Sequence, residues 1–192
     1  MKSIAISGSP RENVGKRDAK ELRYQGLVPA VLYGGATQTH FAVSAADLRA
    51  VIYTPVVHFI DIEVAGKKTQ AIIKDAQFHP LTEQLLHIDF LQLDENKPVT
   101  IEIPVKLTGT SPGVKVGGKL VQKLRKLRVK ALPKDHLDNI EVSIESLEVG
   151  KSVRVSDIKV DNLTITNAQE DTIVSVTTSR ALRQAEQENR GK

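Results

Sequence analysis

All seven aromatic residues of this chain lie before residue 95: Tyr24, Tyr33, Phe41, Tyr53, Phe59, Phe78 and Phe90. Four of its five histidines do too, and only His136 falls beyond. Interiors are close-packed, so a core filled with rings and one filled only by Val, Ile, Leu and Ala are built to different shapes. The change therefore predicts two domains with separate cores. The joint is expected at Leu93-Asp94-Glu95-Asn96-Lys97-Pro98, polar and closed by a proline. Residues 1–94 would form the first domain and 95–178 the second. From 179 to 192 apolar residues are too few to pack, which predicts a disordered polar tail.

Within the first domain, residues 2–7 read as a strand and 17–25 as a helix, with Gly26 as its stop. Residues 27–33 form an apolar strand ended by Gly34-Gly35. Ser44-Ala45-Ala46-Asp47 has capping-box spacing and should open a second helix through Ile52. Residues 57–64 alternate, Ala65-Gly66 turns the chain, and 67–77 return as a hairpin; 85–93 supply another strand. Five strands and two short helices suit a small barrel better than a bundle. Beyond the joint, residues 99–107, 127–132, 140–144 and 173–176 alternate, predicting a thin sandwich or roll. Residues 110–118, with Ser, Pro and three Gly, are expected to form a mobile loop. The class is mainly β with short helices, an N-terminal barrel plus a C-terminal β-rich domain.

Cysteine is absent, which removes disulfides, thiolate chemistry and Cys-built zinc sites and suits a reducing cytoplasm. No apolar run approaches the roughly 18–20 residues that cross a bilayer. The first eight residues turn polar before a secretory segment could form. The net charge of +4 tilts weakly toward an anionic partner. It does not locate that partner: residues 1–94 hold ten basic and ten acidic side chains, and the remaining 17 basic and 13 acidic ones lie beyond.

Three constellations carry chemistry. Gly8-Ser9-Pro10-Arg11-Glu12-Asn13-Val14-Gly15-Lys16 superficially suggests a phosphate loop, but six residues separate the first and last glycines and Arg17 stands where a magnesium-binding Ser or Thr belongs. What remains is a flexible loop with Arg11, Lys16 and Arg17, leading into a helix with Lys20 and Arg23. Such a set is either a phosphate-holding face or a solvated helix. On a strand, His87 and Asp89 share one face while Ile88 and Phe90 take the other. The polar side faces either solvent or a ligand, and His and Asp offer directional bonds to base edges. With His79 they could also suggest a metal site, although no spacing fixes its geometry. Finally, residues 115–134 hold eight Lys and Arg and no acid, among them Lys119, Lys123, Arg125, Lys126, Arg128 and Lys130. Either a polar strand face or contact with nucleic-acid phosphates explains them.

Arg11-x-x-x-Gly15-Lys16 followed by Leu22-Arg23-x-x-Gly26-x-Val28-Pro29-Ala30-Val31-Leu32-Tyr33-Gly34 resembles the signature of the 5S-rRNA-binding large-subunit ribosomal protein family numbered twenty-five. Lys74-Asp75-Ala76-Gln77-Phe78-His79-Pro80 and His87-Ile88-Asp89-Phe90 resemble that family's second block in order and spacing. The second half is similar, more loosely, to the C-terminal domain of the long, general-stress (Ctc) form, best at residues 126–133. The resemblance implies a six-stranded barrel docked on the loop E minor groove of 5S rRNA in the central protuberance of the ribosome. Carried over by position, the RNA-facing residues would be Arg11, Lys16, Lys20, Arg23, Tyr33, Gln77, His79, His87 and Asp89. Ala19 stands where relatives often carry Ser, and Lys20 replaces a common Arg, losing a planar fork but keeping the charge.

The expected role is that of a non-catalytic rRNA-binding protein of the cytoplasmic ribosome, without metal, cofactor or membrane partner and monomeric by default. Its partners would be 5S rRNA and neighbouring large-subunit proteins and rRNA. Two other classes stay open: a stress-induced factor that binds ribosomes substoichiometrically, and a metal-dependent hydrolase using His79, His87 and Asp89.

Overall fold

The structure is a computed structural model and describes residues 3–35, 37–158, 160 and 162–178. The polar segment 179–192 lies outside the described residues. The chain divides into two compact units between Lys97 and Pro98.

The first unit runs β1 (Ser3–Pro10), α1 (Lys16–Tyr24), β2 (Leu27–Tyr33), β3 (Thr39–Ser44), α2 (Ala45–Ile52), β4 (Phe59–Val64), β5 (Lys67–Phe78) and β6 (Leu85–Gln92). Its six strands close into a barrel in the order β1-β3-β2-β6-β5-β4, with β1/β4 and β2/β6 parallel and the other pairs antiparallel. Ile6, Val28, Leu32, Phe41, Ile60, Ile62, Ile88 and Phe90 fill the interior. Phe41 and Phe90 stack with centroids 5.7 Å apart. Leu48 and Val51 of α2 join the same core, and the Ser44 hydroxyl that caps this helix accepts the Ala46 N–H at 3.3 Å.

Residue patterns predict five strands here; the sixth is β3. Its Phe41, Ala42 and Val43 are buried in succession, so the period-two signal of a half-buried strand is missing. The N-terminal strand is also longer than expected. Gly8, Ser9 and Pro10 pair with Val43, Ala42 and Phe41 and are strand, not loop. Gly8 has a steric reason: any Cβ there would run into the Phe41 ring.

The second unit contains β7 (Val99–Thr108), α3 (Pro112–Lys115), β8 (Lys119–Gln122), β9 (Lys126–Ala131), β10 (Ile140–Ser143), β11 (Ser152–Arg154), β12 (Thr164–Ile165) and β13 (Thr172–Thr177). They form a four-stranded sheet, β10-β7-β9-β12, and a three-stranded sheet, β11-β13-β8. Leu127, Val129, Ile103, Ile140, Val142 and Ile173 make its aliphatic core. The expected mobile loop at 110–118 instead holds a helical turn. Buried Ser111 donates its hydroxyl to the Leu147 carbonyl, and the Gly113 N–H reaches the same oxygen at 3.1 Å. A Cβ at Gly113 would stand 2.7 Å from the backbone of Glu148 and Val149. The glycine that suggested looseness is there for close packing.

His136 is buried in this unit, and neither ring nitrogen finds a protein hydrogen-bond partner. Burial pushes its pKa below the ordinary 6.5; the nearby backbone of Val99 and Ala131 and the Asp135 carboxylate oppose the shift, short of a full hydrogen bond, without reversing it. The unfolded chain thus binds a proton more readily than the folded one. The contribution of this residue to stability is complete above about pH 6.5 and shrinks as pH falls toward the lowered value. Urea denaturation at pH 7.5 and 5.5 should show a smaller acid-induced loss for His136→Leu than for the wild type. Equal losses would remove His136 as the cause.

Candidate nucleic-acid interface

One outer face of the barrel is polar because of a register irregularity. β5 and β6 pair antiparallel, with Ile73 opposite Phe90, Asp75 opposite Asp89 and Gln77 opposite His87; Lys74 is the extra residue between the first two pairs. Ile73 packs against the core, so without the bulge strict alternation would turn Asp75 inward. With it, Asp75 and Gln77 point outward beside Asp89 and His87, while Ile88 and Phe90 stay fully buried. The side chains of His87 and Asp89 are 30% and 29% exposed, and His87 Nδ1 lies 2.7 Å from the Asp89 carboxylate. That bond leaves Nε2 as the imidazole's outward polar atom.

The neighbouring strand β2 runs parallel to β6 and adds Tyr33, half-buried near the same carboxylates. Burial, then Asp89, then Asp75 raise the Tyr33 phenol above its usual value of 10. It is therefore a neutral hydroxyl, able to donate and accept at neutral pH. Tyr33, Asp75, Gln77, His87 and Asp89 together make a directional surface with no lysine or arginine of its own apart from the bulged Lys74. Asp75 was not among the residues expected from sequence, because its outward position depends on the bulge.

Positive charge comes from α1 beside this face. The helix packs on β2 and has no buried residue. Arg23 Nε donates to the Leu86 carbonyl of β6 at 3.0 Å, tying the helix next to His87. Lys16 and Lys20 are exposed. Arg11 is different. Its guanidinium grips the Asp18 carboxylate and donates to the Asn13 carbonyl at 3.2 Å, and its side chain is only 8% exposed. The Arg11 N–H also donates to the His40 carbonyl at 3.0 Å. Arg11 therefore clamps the 11–15 loop between β1 and α1.

His79 also has an internal task. Its Nδ1 accepts the N–H groups of Leu81 and Thr82, both at 3.3 Å, and its backbone bonds Gln84 and Glu83 across the turn. The imidazole shapes the β5–β6 connection and leaves Nε2 for an outside partner. Among the described residues, no three His, Asp or Glu side chains converge on a position able to hold a metal ion.

The basic stretch of the second unit is not one surface. Lys126, Arg128 and Lys130 project from β9 opposite buried Leu127, Val129 and Ala131. Lys119 belongs to the other sheet, and Lys123 and Arg125 sit in the connection. The field is also partly neutralised. Glu102, directly across on β7, meets Arg128 Nε at 3.2 Å, an acid that inspection of residues 115–134 alone could not reveal.

Residues 6–90 match the model of the ribosomal L25p family, and residues 98–180 match that of the C-terminal domain of ribosomal protein TL5. The large ribosomal subunit protein bL25 of Cytophaga hutchinsonii is 49% identical over 186 residues, 97% of this chain and 97% of the relative. That of Amoebophilus asiaticus is 46% identical, covering 100% of this chain and 99% of the relative. The chain belongs to the ribosomal L25p family. Its two-part match makes it a long L25p protein, with the TL5-type domain following the barrel. L25p proteins are ribosomal structural proteins rather than enzymes, which sets the hydrolase alternative aside. The six-stranded closure implied by the L25p resemblance is the one observed.

Proposed function

We propose that this protein is a structural constituent of the large ribosomal subunit that binds 5S rRNA with the outer β2–β6–β5 face of its barrel. The observation that carries this reading is the composition of that face. Tyr33, Asp75, Gln77, His87 and Asp89 sit on adjacent strands, and the exposed cations Lys16 and Lys20 stand on the helix at its margin. A simple polyanion receptor would not place two carboxylates at its centre, because they repel phosphate. Carboxylate, amide, imidazole and phenol groups instead bond base edges and 2′-hydroxyls, which the wide, shallow RNA minor groove displays. Lys16, Lys20 and Arg23 hold phosphates and set the register; Arg11 keeps their loop in place. The family resemblance supports loop E of 5S rRNA as the docking site, in the central protuberance of the cytoplasmic ribosome.

In the second unit, Lys126, Arg128 and Lys130 contact phosphates of neighbouring rRNA as positioning charges. Lys119, Lys123 and Arg125, off that strand, make secondary phosphate contacts, and neighbouring large-subunit proteins are further partners. The protein acts as a monomer, and the barrel, being closed, offers no strand edge of its own for pairing with a second copy.

The test is the affinity of the full-length chain for 5S rRNA and for a regular RNA duplex of equal length at physiological salt. A preference of roughly several hundredfold or more is expected; equal affinity would reduce the interface to nonspecific charge attraction. Lys16→Ala should weaken binding to both RNAs and lower the salt slope by about one unit. An unchanged slope would show that Lys16 touches no phosphate.

A further inference from the structure

The exposed strip of α1 ends in a bare aromatic ring. Tyr24 is 80% exposed, more than any other aromatic residue of the chain. It contributes almost nothing to the apolar burial that stabilises the fold. Lys20 Nζ lies 5.7 Å from the ring centroid and so covers one of its two faces. Lys16, Lys20 and Tyr24 follow one another at four-residue spacing. At roughly 100° per residue they fall within about 80° of the helix circumference, with Arg17 close by. At about 1.5 Å rise per residue, the strip from Lys16 to Tyr24 is ~12 Å long. The adjacent Arg23 anchors this end of the helix to the Leu86 carbonyl, one residue before His87. The ring thus projects from the helix whose cations flank the polar face.

We propose that Tyr24 is a stacking platform for an unpaired base of the bound RNA, with Lys20 behind the ring meeting an adjoining phosphate. The inference rests on the rRNA-binding role proposed above and extends it by one residue with a distinct job. A π-face recognises any base but needs its face uncovered. In a regular duplex the faces are hidden by neighbouring base pairs; in irregular RNA, splayed bases present them. Tyr24 therefore adds to the preference for irregular RNA without reading a particular base. Cation–π contact with Lys20 holds the ring over its helix, so less rotamer freedom is lost on binding.

The experiment compares the full-length wild type with Tyr24→Ala, Tyr24→Leu and Tyr24→Phe, measuring affinity for 5S rRNA and for the regular duplex across a salt series. The exposure of the side chain leaves folding intact in all three. Ala and Leu should weaken 5S rRNA binding roughly tenfold, Phe should stay within about twofold, and duplex affinity and salt slope should not move. If Tyr24→Ala matches a wild type that still prefers 5S rRNA, the stacking role is overturned, and the ring is left to solvent or a protein neighbour. If Leu binds as tightly as Tyr, apolar area rather than the π-face is responsible, which also overturns it. A wild type without preference for 5S rRNA overturns the interface itself, and the platform with it.

Discussion

Phe90→Ala is expected to destabilise the barrel by about 3–5 kcal/mol, the usual cost of emptying a buried ring site. Phe90 is fully buried and stacks on Phe41 at 5.7 Å, so the substitution removes a pairwise ring contact as well as a large apolar surface. Small domains have a total stability of only about 5–15 kcal/mol, so a large share would go. The functional consequence follows from strand geometry. Phe90 and Ile88 hold β6 to the core from inside, while Asp89 and His87 stand on its outer side. A loosened β6 loses the alignment of His87 with Gln77 and of Asp89 with Asp75. Urea denaturation measures the stability change, and Phe90→Leu should recover most of it because a branched aliphatic refills part of the site. A loss below about 1 kcal/mol for Phe90→Ala would mean that the barrel closes without its ring pair.

The second large effect is on discrimination. Gln77→Ala and His87→Ala are each expected to cost about 1–3 kcal/mol in binding to 5S rRNA, with little change in binding to a regular duplex. The two residues face each other across β5 and β6, so the double variant should fall short of the sum of the singles. His87→Ala has a further effect, since it strips the Asp89 carboxylate of a donor at 2.7 Å. Parallel titrations of the two RNAs test this; equal losses on both would show that these side chains position rather than read.

Several of these features were legible in the residues alone. The HIDF run at 87–90 divides cleanly into polar and buried pairs, as does 126–131, because side chains on a strand alternate with a period of two whatever surrounds it. Gly26 adopts φ 77° after α1, and Ser44 caps α2. Both are short-range effects, complete within one helical turn of the residue that causes them. The family signature likewise is a matter of order and spacing, which sequence carries in full.

What sequence left undecided depended on a partner far along the chain. The outward position of Asp75 needs the bulge at Lys74, and a bulge exists only relative to the strand opposite, here β6. The commitment of Arg11 to Asp18 was invisible because a loop arginine and an acid in the first turn of the following helix look equally free until the loop is closed. The eight cations of 115–134 read as one field, yet the chain turns between β8 and β9, puts Lys119 on one sheet and Lys126, Arg128 and Lys130 on the other, leaves the remaining four off both sheets and sets Glu102 against Arg128. Ser111 and Gly113 suggested looseness, and became a packed helical turn through carbonyl and backbone contacts with residues 147–149. By itself the sequence determined which residues share a face wherever a strand runs without a bulge, since periodicity is a property of the local backbone. Only the tertiary structure decided which faces meet and which charges remain unspent, because pairing and burial depend on segments that sequence order holds apart.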